Sequence, residues 1–401
     1  MNASTPRGSR IGFVVILGSL IAFAPLSIDM YLPAFPAIAA HYGTTAGAVQ
    51  TTLAVFFVGL AVGQGVVGPI TDRVGRLPPL LIGIAMYVGA SIWAALAPDI
   101  ESLTAARLLQ ALGGCAGIVV SRAMVRDLFD ERGSAQVYSM LMLVMGLAPI
   151  LAPMIGGFII AHCEWHMIFW VLAAFGAACV PAVLFGLGET LPRERRQHGG
   201  LRPVLGAYLA LFADRPFMGF ALANAFISAA MFAYITGSPF VFIELHGLDP
   251  SGYAMLFGVN AAGLIIASQV NAFLLRRMSG RVILKVAMGI HLATALALLA
   301  ATIFRPDAFY ALAACIFIAV GSVGFVGANA MAAAMARADS HIGSASALTG
   351  ILQFALAAVA GALVGAFNDG TALPMALTIA GASIAGTVAR LMARETQPAA
   401  A

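Results

Sequence analysis

Two ionisable side chains stand deep inside long apolar stretches of this sequence, Asp29 and Arg107. A charge held at the middle of a bilayer costs about 2.5–3.5 kcal/mol on insertion scales, so residues of this kind face a cavity and do work there. Asp29 escapes the cost by taking up a proton, whereas Arg107 keeps its charge at any workable pH. The pair reads as a proton carrier and a fixed positive charge that sets its acidity or lines the same cavity. The structural alternatives are a capping or hydrogen-bonding role for Asp29 beside Pro33, and a tie from Arg107 to a helix carbonyl or to Asp29.

A second constellation is charged and glycine-bearing: Gly68-Pro69-Ile70-Thr71-Asp72-Arg73-Val74-Gly75-Arg76, with Arg126-Asp127 further along. Gly68 and Gly75 allow tight turns and close helix approach. Asp72 suits the positive end of a helix dipole, and Arg76 has the reach for Asp127. Together they make a gate of charged contacts, against the plainer reading of basic residues meeting headgroups. A third set, Gly146, Pro149, Pro153, Gly156 and Gly157, is a packing device: the glycines let backbones touch and the prolines bend the span and free carbonyls. Fainter polar stripes offer cavity walls at Gln110, Asn224, Ser228, Met231, Tyr234, Gln353 and Phe354, with Asn260 and Asn329 beside them. A buried amide serves as inter-helix glue as readily as it meets a ligand.

Other chemistries are absent from the pattern. There is no nucleotide-binding Gly-Lys-Ser/Thr loop, no Ser/His/Asp set and no His-Glu-x-x-His. The four cysteines, Cys115, Cys163, Cys179 and Cys315, offer no disulfide framework. His162, His166 and His291 lack partners with metal-ligand spacing. No metal, no cofactor and no enzymatic activity are expected.

The elements that must position these residues follow from composition. Of 401 residues, 61% are hydrophobic and 9% charged, where a soluble domain carries about 25% charged residues. A soluble enzyme, a disordered chain and a nucleic-acid binder are excluded. Counting apolar runs long enough to cross ~30 Å of hydrocarbon predicts twelve transmembrane helices: 11–36, 47–70, 78–98, 102–125, 136–161, 165–187, 216–243, 252–275, 282–304, 308–334, 342–367 and 371–393. Turn chemistry separates them, as at Gly43-Thr44-Thr45, Ala97-Pro98-Asp99 and Asn368-Asp369-Gly370. The first run is too long for a signal peptide and carries Asp29, so it reads as an uncleaved helix.

With twelve spans both termini share one side, and nineteen of the 21 Lys and Arg residues fall there; Arg305 alone lies opposite, and Arg107 is within the membrane. Positive charge marks the cytoplasmic side, so both termini are expected in the cytoplasm of a bacterial cell, with the chain in its inner membrane. The polar stretch Gly188–Arg215 reads as a flexible solvated linker, giving an N-terminal six-helix bundle (1–192), a cytoplasmic linker (193–215) and a C-terminal six-helix bundle (216–401). Weak internal repeats match Asp72-Arg73-Val74-Gly75-Arg76 to Arg276-Arg277-Met278-Ser279-Gly280-Arg281 and Gly113 to Gly324. A duplicated unit predicts a site between two bundles near the midplane. The second half has no carboxylate matching Asp29 until Glu244.

Gly68-Pro69-x-x-Asp72-Arg73-x-Gly75-Arg76 resembles the signature loop of the major facilitator superfamily. The stretch Ser27–Gly157 is similar more narrowly to the Bcr/CflA branch of its drug:proton antiporters, the bicyclomycin and chloramphenicol exporters. The likeness rests on Ser27-Ile28-Asp29-Met30-Tyr31-Leu32-Pro33-Ala34, Arg107-Leu108-Leu109-Gln110-Ala111-Leu112-Gly113 and Ala148-Pro149-Ile150-Leu151-Ala152-Pro153-Met154-Ile155-Gly156-Gly157. Leu77-Pro78-Pro79 stands where a basic residue usually follows the loop, and Ala152 replaces a glycine. The resemblance implies an all-α membrane protein of two pseudo-symmetric bundles that exports small antibiotics against proton entry, the Gly146–Gly157 motif accompanying export. The expected partners are a small-molecule drug, protons and the lipid bilayer, with no nucleic acid, and the expected state is a monomer. Export of an endogenous metabolite such as an amino acid or sugar, and facilitated import, are the alternative functions.

Overall fold

The computed structural model describes residues 10–196, 201–338 and 342–393. Among them every regular element is helical, and twelve spans are long and apolar enough to cross a membrane. The helices are α1 (Arg10–Ile21), α2 (Phe23–Asp29), α3 (Phe35–Tyr42), α4 (Ala46–Val74), α5 (Leu77–Ala95), α6 (Ile100–Leu128), α7 (Glu131–His162), α8 (His166–Gly186), α9 (Leu201–Ala213), α10 (Arg215–Pro239), α11 (Pro250–Leu274), α12 (Gly280–Phe304), α13 (Phe309–Met335), α14 (Ile342–Ala366) and α15 (Leu373–Met392). The chain forms two compact units. One comprises Met1–Gly199 with Phe242–Gly258, and the other Gly200–Val241 with Val259–Ala401.

Helix starts follow local capping chemistry. Asp99, Asp130 and Asp214 each accept a backbone N–H three residues on, at 2.7, 2.8 and 2.9 Å, and Thr45 caps α4. Between α3 and α4, Gly43 takes a left-handed conformation (φ 60°) that closes the helix.

The first span departs from the expected single helix over 11–36. It is broken into α1, α2, a 3-10 turn at Leu32–Ala34 and α3, and it continues to Tyr42. Prolines 25, 33 and 36 supply the reason, since each removes one backbone donor. Pro33 has no N–H to offer the carbonyl of Asp29, so the helix stops at the residue whose side chain matters most. The expected flexible linker also departs from the reading, because α9 forms within it. Ala207 and Leu211 of α9 are buried, and Leu211 joins the second unit's core with Phe217, Ile227, Met288, Val326 and Leu348.

In the first unit α6 is the central helix, packed against α4, α5 and α1. Its run Ala111–Gly117 is almost all small residues, which lets backbones meet where no hydrophobic effect drives helices together. A Cβ on Gly113 would lie 2.6 Å from both the Gly83 carbonyl oxygen and the Tyr87 amide nitrogen of α5. The matched Gly324 would instead meet the Leu264 carbonyl of α11, at 2.8 Å. The two glycines therefore press on non-equivalent neighbours, the third span in one unit and the eighth in the other, and this part of the repeat was a coincidence of spacing.

The contact is testable. Gly113→Ala forces backbone apart and should destabilise the protein by about 1–3 kcal/mol, lowering its thermal midpoint in detergent. Gly89→Ala, on the same α5 surface with nothing within 4 Å of the added carbon, should leave the midpoint unchanged or raise it. Thermal denaturation followed by tryptophan fluorescence separates the two.

Candidate functional site

Asp29 ends α2 and is 4% exposed, the only buried carboxylate among the described residues. Its flanks are pinned. The Ser27 hydroxyl pairs with the Tyr87 hydroxyl at 2.7 Å, and the Tyr31 hydroxyl with that of Thr52 at 2.8 Å. Phe23 stacks on Tyr87 at 4.3 Å. Gly156 of α7 is pressed against the Met30 carbonyl, so closely that a side chain there would collide with it. The expected capping role beside Pro33 is not found: the Asp29 carboxylate accepts no hydrogen bond and joins no ion pair.

Arg107 of α6 is completely buried. Its Nη1 donates to Gln110 Oε1 at 2.6 Å, Gln110 Nε2 donates to Ser91 Oγ at 2.8 Å, and the Ser91 hydroxyl donates to the Tyr87 carbonyl at 2.7 Å. The guanidinium lies over the rings of Phe56, Tyr31 and Phe169, at 4.2, 4.6 and 5.8 Å. Desolvated cation–π contacts are worth about 2 kcal/mol or more, so the cage offsets part of the burial cost. Nε and Nη2 remain buried with no acceptor. The expected tie from Arg107 to Asp29 or to a helix carbonyl is absent; one amide and three rings hold the charge instead. What the arrangement offers is two N–H groups aimed at an acceptor that is not part of the protein's resting contacts.

At the far ends of these helices the charged loop is assembled. Arg76 is buried, with Nε on Asp127 Oδ2 at 2.9 Å, Nη2 on Asp127 Oδ1 at 3.3 Å and Nη1 on Asp72 Oδ1 at 2.6 Å. Burial works against its charge, but the hydrogen bonds and charges of Asp127 and Asp72 outweigh that and hold the guanidinium above its ordinary range. Asp72 was expected at a helix N-terminus. That place is taken by Glu189, whose carboxylate accepts the amides of Arg76 at 2.9 Å and Leu77 at 3.2 Å where α5 begins. Thr190 donates to Asp127 Oδ2 at 3.0 Å, and Arg196 lies 3.9 Å from Glu189. Gly75 turns with φ 104°, and a Cβ there would sit 2.5 Å from Glu189 Oε2. Gly68, expected to turn, lies inside α4 with open space around it, and Arg73 is exposed. Sequence reasoning missed Glu189 and Thr190 because an acid opening a basic stretch looks like solvated charge.

Of the α7 set, Gly156 meets Met30, while Gly157 faces the other way, with Pro250 and Ala254 of α11 at 3.1 and 3.3 Å from an added Cβ. Pro149 and Pro153 lie within the helix, and Gly146 is half-buried. Among the fainter candidates, Gln110 belongs to the Arg107 network. Asn224 and Ser228 are buried on α10. Tyr234 accepts from Asn260 at 2.8 Å and, with Met231 and His291, lines a cavity of about 10 Å³. Gln353 and Phe354 are half-buried, Phe354 lying 5.8 Å from the ring of Phe232. Asn329 bonds Asn271 at 2.7 Å, helix to helix. His291 bonds Ser322 at 2.7 Å, as expected of a core histidine.

Twelve apolar helices with this loop, and with an unpaired acid and a caged arginine in the membrane, define a secondary transporter. The chain belongs to the Major Facilitator Superfamily, whose family model matches residues 17–362. It is 38% identical to the uncharacterized MFS-type transporter YdgK of Bacillus subtilis over 96% of both chains. It is 32% identical to the bicyclomycin resistance protein homolog of Haemophilus influenzae over 92% of both. With the multidrug resistance protein MdtL of Escherichia coli it shares 29% over 89% of this chain and 90% of the other. Among solved structures, a variant of the nucleoside transporter NupG superposes with a TM-score of 0.76 at 11% identity, over 95% of this chain and 99% of that one. These relatives carry the resemblance to the Bcr/CflA branch; the solved structure carries the fold.

The loop's geometry separates binding from cycling. Arg76→Ala and Glu189→Ala should each lower transport about tenfold, the effect of a ~1.4 kcal/mol change in the balance of states, while substrate affinity stays within a few-fold. Transport into inverted vesicles, with drug binding to the purified protein, reads both. Loss of binding with intact transport would remove these residues from a gate.

Proposed function

We propose that this chain is a drug:proton antiporter that exports small antibiotics of the chloramphenicol or bicyclomycin type across the bacterial inner membrane, with both termini in the cytoplasm. The observation that carries the reading is Asp29, a lone buried carboxylate without a hydrogen-bond partner, set at a break in the first span and pinned on both sides. A structural aspartate would be satisfied by neighbours. One left bare is suited to alternate between two protonation states.

In this mechanism the Asp29 carboxylate takes one proton when exposed to the outer side and returns it to the cytoplasm. Drug occupies the protein while Asp29 is ionised and leaves once it is neutral. Arg107 Nε and Nη2 donate to acceptor oxygens on the drug, and the rings of Tyr31, Phe56 and Phe169 give a face to its apolar part. The Asp72–Arg76–Asp127–Glu189 cluster holds one state until the cycle breaks it. The names of the relatives from Haemophilus influenzae and Escherichia coli support drug export.

Asp29→Asn keeps the shape and removes the titratable group. The variant should bind drug within a few-fold of wild type, carry out drug-for-drug exchange, and lose at least a hundredfold of uphill transport driven by a proton gradient in inverted vesicles. Wild-type uphill transport by this variant would defeat the reading. Proton-driven counterflow of an amino acid or sugar, with none of any antibiotic, would replace the drug by a metabolite.

A further inference from the structure

Within the second unit, α11, α12 and α13 enclose a furrow of about 530 Å³. Its walls are Ile266, Leu274, Met278, Ile290 and Phe317, and its floor is opened by Gly321, where an added Cβ would meet nothing nearer than a carbonyl at 4.0 Å. The one polar side chain in its lining is Ser322, whose hydroxyl is already engaged by His291 and the Ala319 carbonyl. Nothing in the furrow asks for a polar ligand. An apolar cavity of roughly 150 Å³ holds a benzene ring, so this one has room for the carbon count of a fatty acyl chain.

One end of the furrow is strongly basic. Met278, part of its wall, sits in the run Arg276-Arg277-Met278-Ser279-Gly280-Arg281, and Lys285 follows one turn into α12. All four cations are exposed. No acidic residue occurs in the sequence between Asp249 and Asp307 to neutralise them. Ser279, at the start of α12, makes no capping hydrogen bond, so the helix dipole adds positive potential at the same place.

We propose that the furrow is a binding site for one anionic phospholipid, its acyl chain lying between α11, α12 and α13 and its phosphate met by Arg276, Arg277, Arg281 and Lys285. Positive patches between membrane helices recognise anionic headgroups, each basic residue adding about fivefold in affinity. The apolar furrow fixes the position and the cations select the headgroup. The inference stands whatever the chain transports.

The test uses the full chain in neutral detergent with phosphatidylglycerol carrying a photoreactive acyl chain. Crosslinks should map to the peptides containing Ile266, Ile290 and Phe317, and tenfold less unlabelled phosphatidylglycerol than phosphatidylcholine should suffice to compete. Crosslinks confined to other helices, or equal competition by the two lipids, would overturn the proposal. Two variants divide its halves. Arg276→Gln/Arg277→Gln/Lys285→Gln should abolish the preference for phosphatidylglycerol, and Gly321→Leu, which fills the floor, should cut crosslinking with either headgroup. A preference untouched by the triple variant, or crosslinking untouched by Gly321→Leu, would refute the headgroup or the furrow assignment.

Discussion

The first unit is organised by the cost of holding two opposite charges in hydrocarbon without letting them neutralise each other. An Asp29–Arg107 pair in direct contact would be the cheap arrangement, because breaking a buried pair costs several kcal/mol. The protein instead gives Arg107 a separate set of partners: an amide at 2.6 Å and three aromatic rings. Tyr31, two residues from Asp29, serves that cage and is itself anchored to Thr52. The acid is thus kept near the arginine's scaffold but out of its grip. A carboxylate locked in an ion pair resists protonation, while one with no partner is free to change state.

The glycines and prolines make this separation possible. Pro33 ends the helix at Asp29, and Gly156 lets α7 press on the next residue's carbonyl. The motif read as a packing device is therefore part of the site, since it holds the broken backbone that presents the acid. On the neighbouring face of α7, Gly157 meets the start of α11, so one helix turn of α7 touches both the helix-1 break and the segment that begins the eighth span.

The twelve spans, the charged loop and the two intramembrane charges were legible because each is a local signal: a run of apolar residues, a fixed spacing, a charge where none belongs. What stayed hidden depends on contacts across helices. Phe56 and Phe169 are two of 25 phenylalanines, and nothing local distinguishes a ring under a guanidinium from one against lipid. Glu189 caps α5 from more than a hundred residues away, a pairing that no spacing rule connects. The α9 helix was masked by the polar residues before it, although Tyr208, Leu211 and Ala207 already lie on one helical face. The Gly113–Gly324 match shows the opposite error, a regular offset taken for structural equivalence.

The two units also divide the chemistry unequally. The second unit has no buried carboxylate among its described residues, and its buried polar contacts are neutral: Tyr234 with Asn260, His291 with Ser322, Asn329 with Asn271. Each joins one helix to another and leaves little to titrate. Duplication supplies two similar scaffolds, but a second ionisable centre in hydrocarbon would add its own insertion cost. A single titrating site is enough for exchange if the partner unit can change state as a body, and neutral inter-helix bonds with small-residue contacts allow that without breaking any charge pair. The unit that carries the proton chemistry is accordingly also the one that carries the Arg76 cluster, where Asp127, Asp72 and Glu189 converge on one loop. Charge is concentrated where the cycle must be switched, and the rest of the membrane interior is kept neutral.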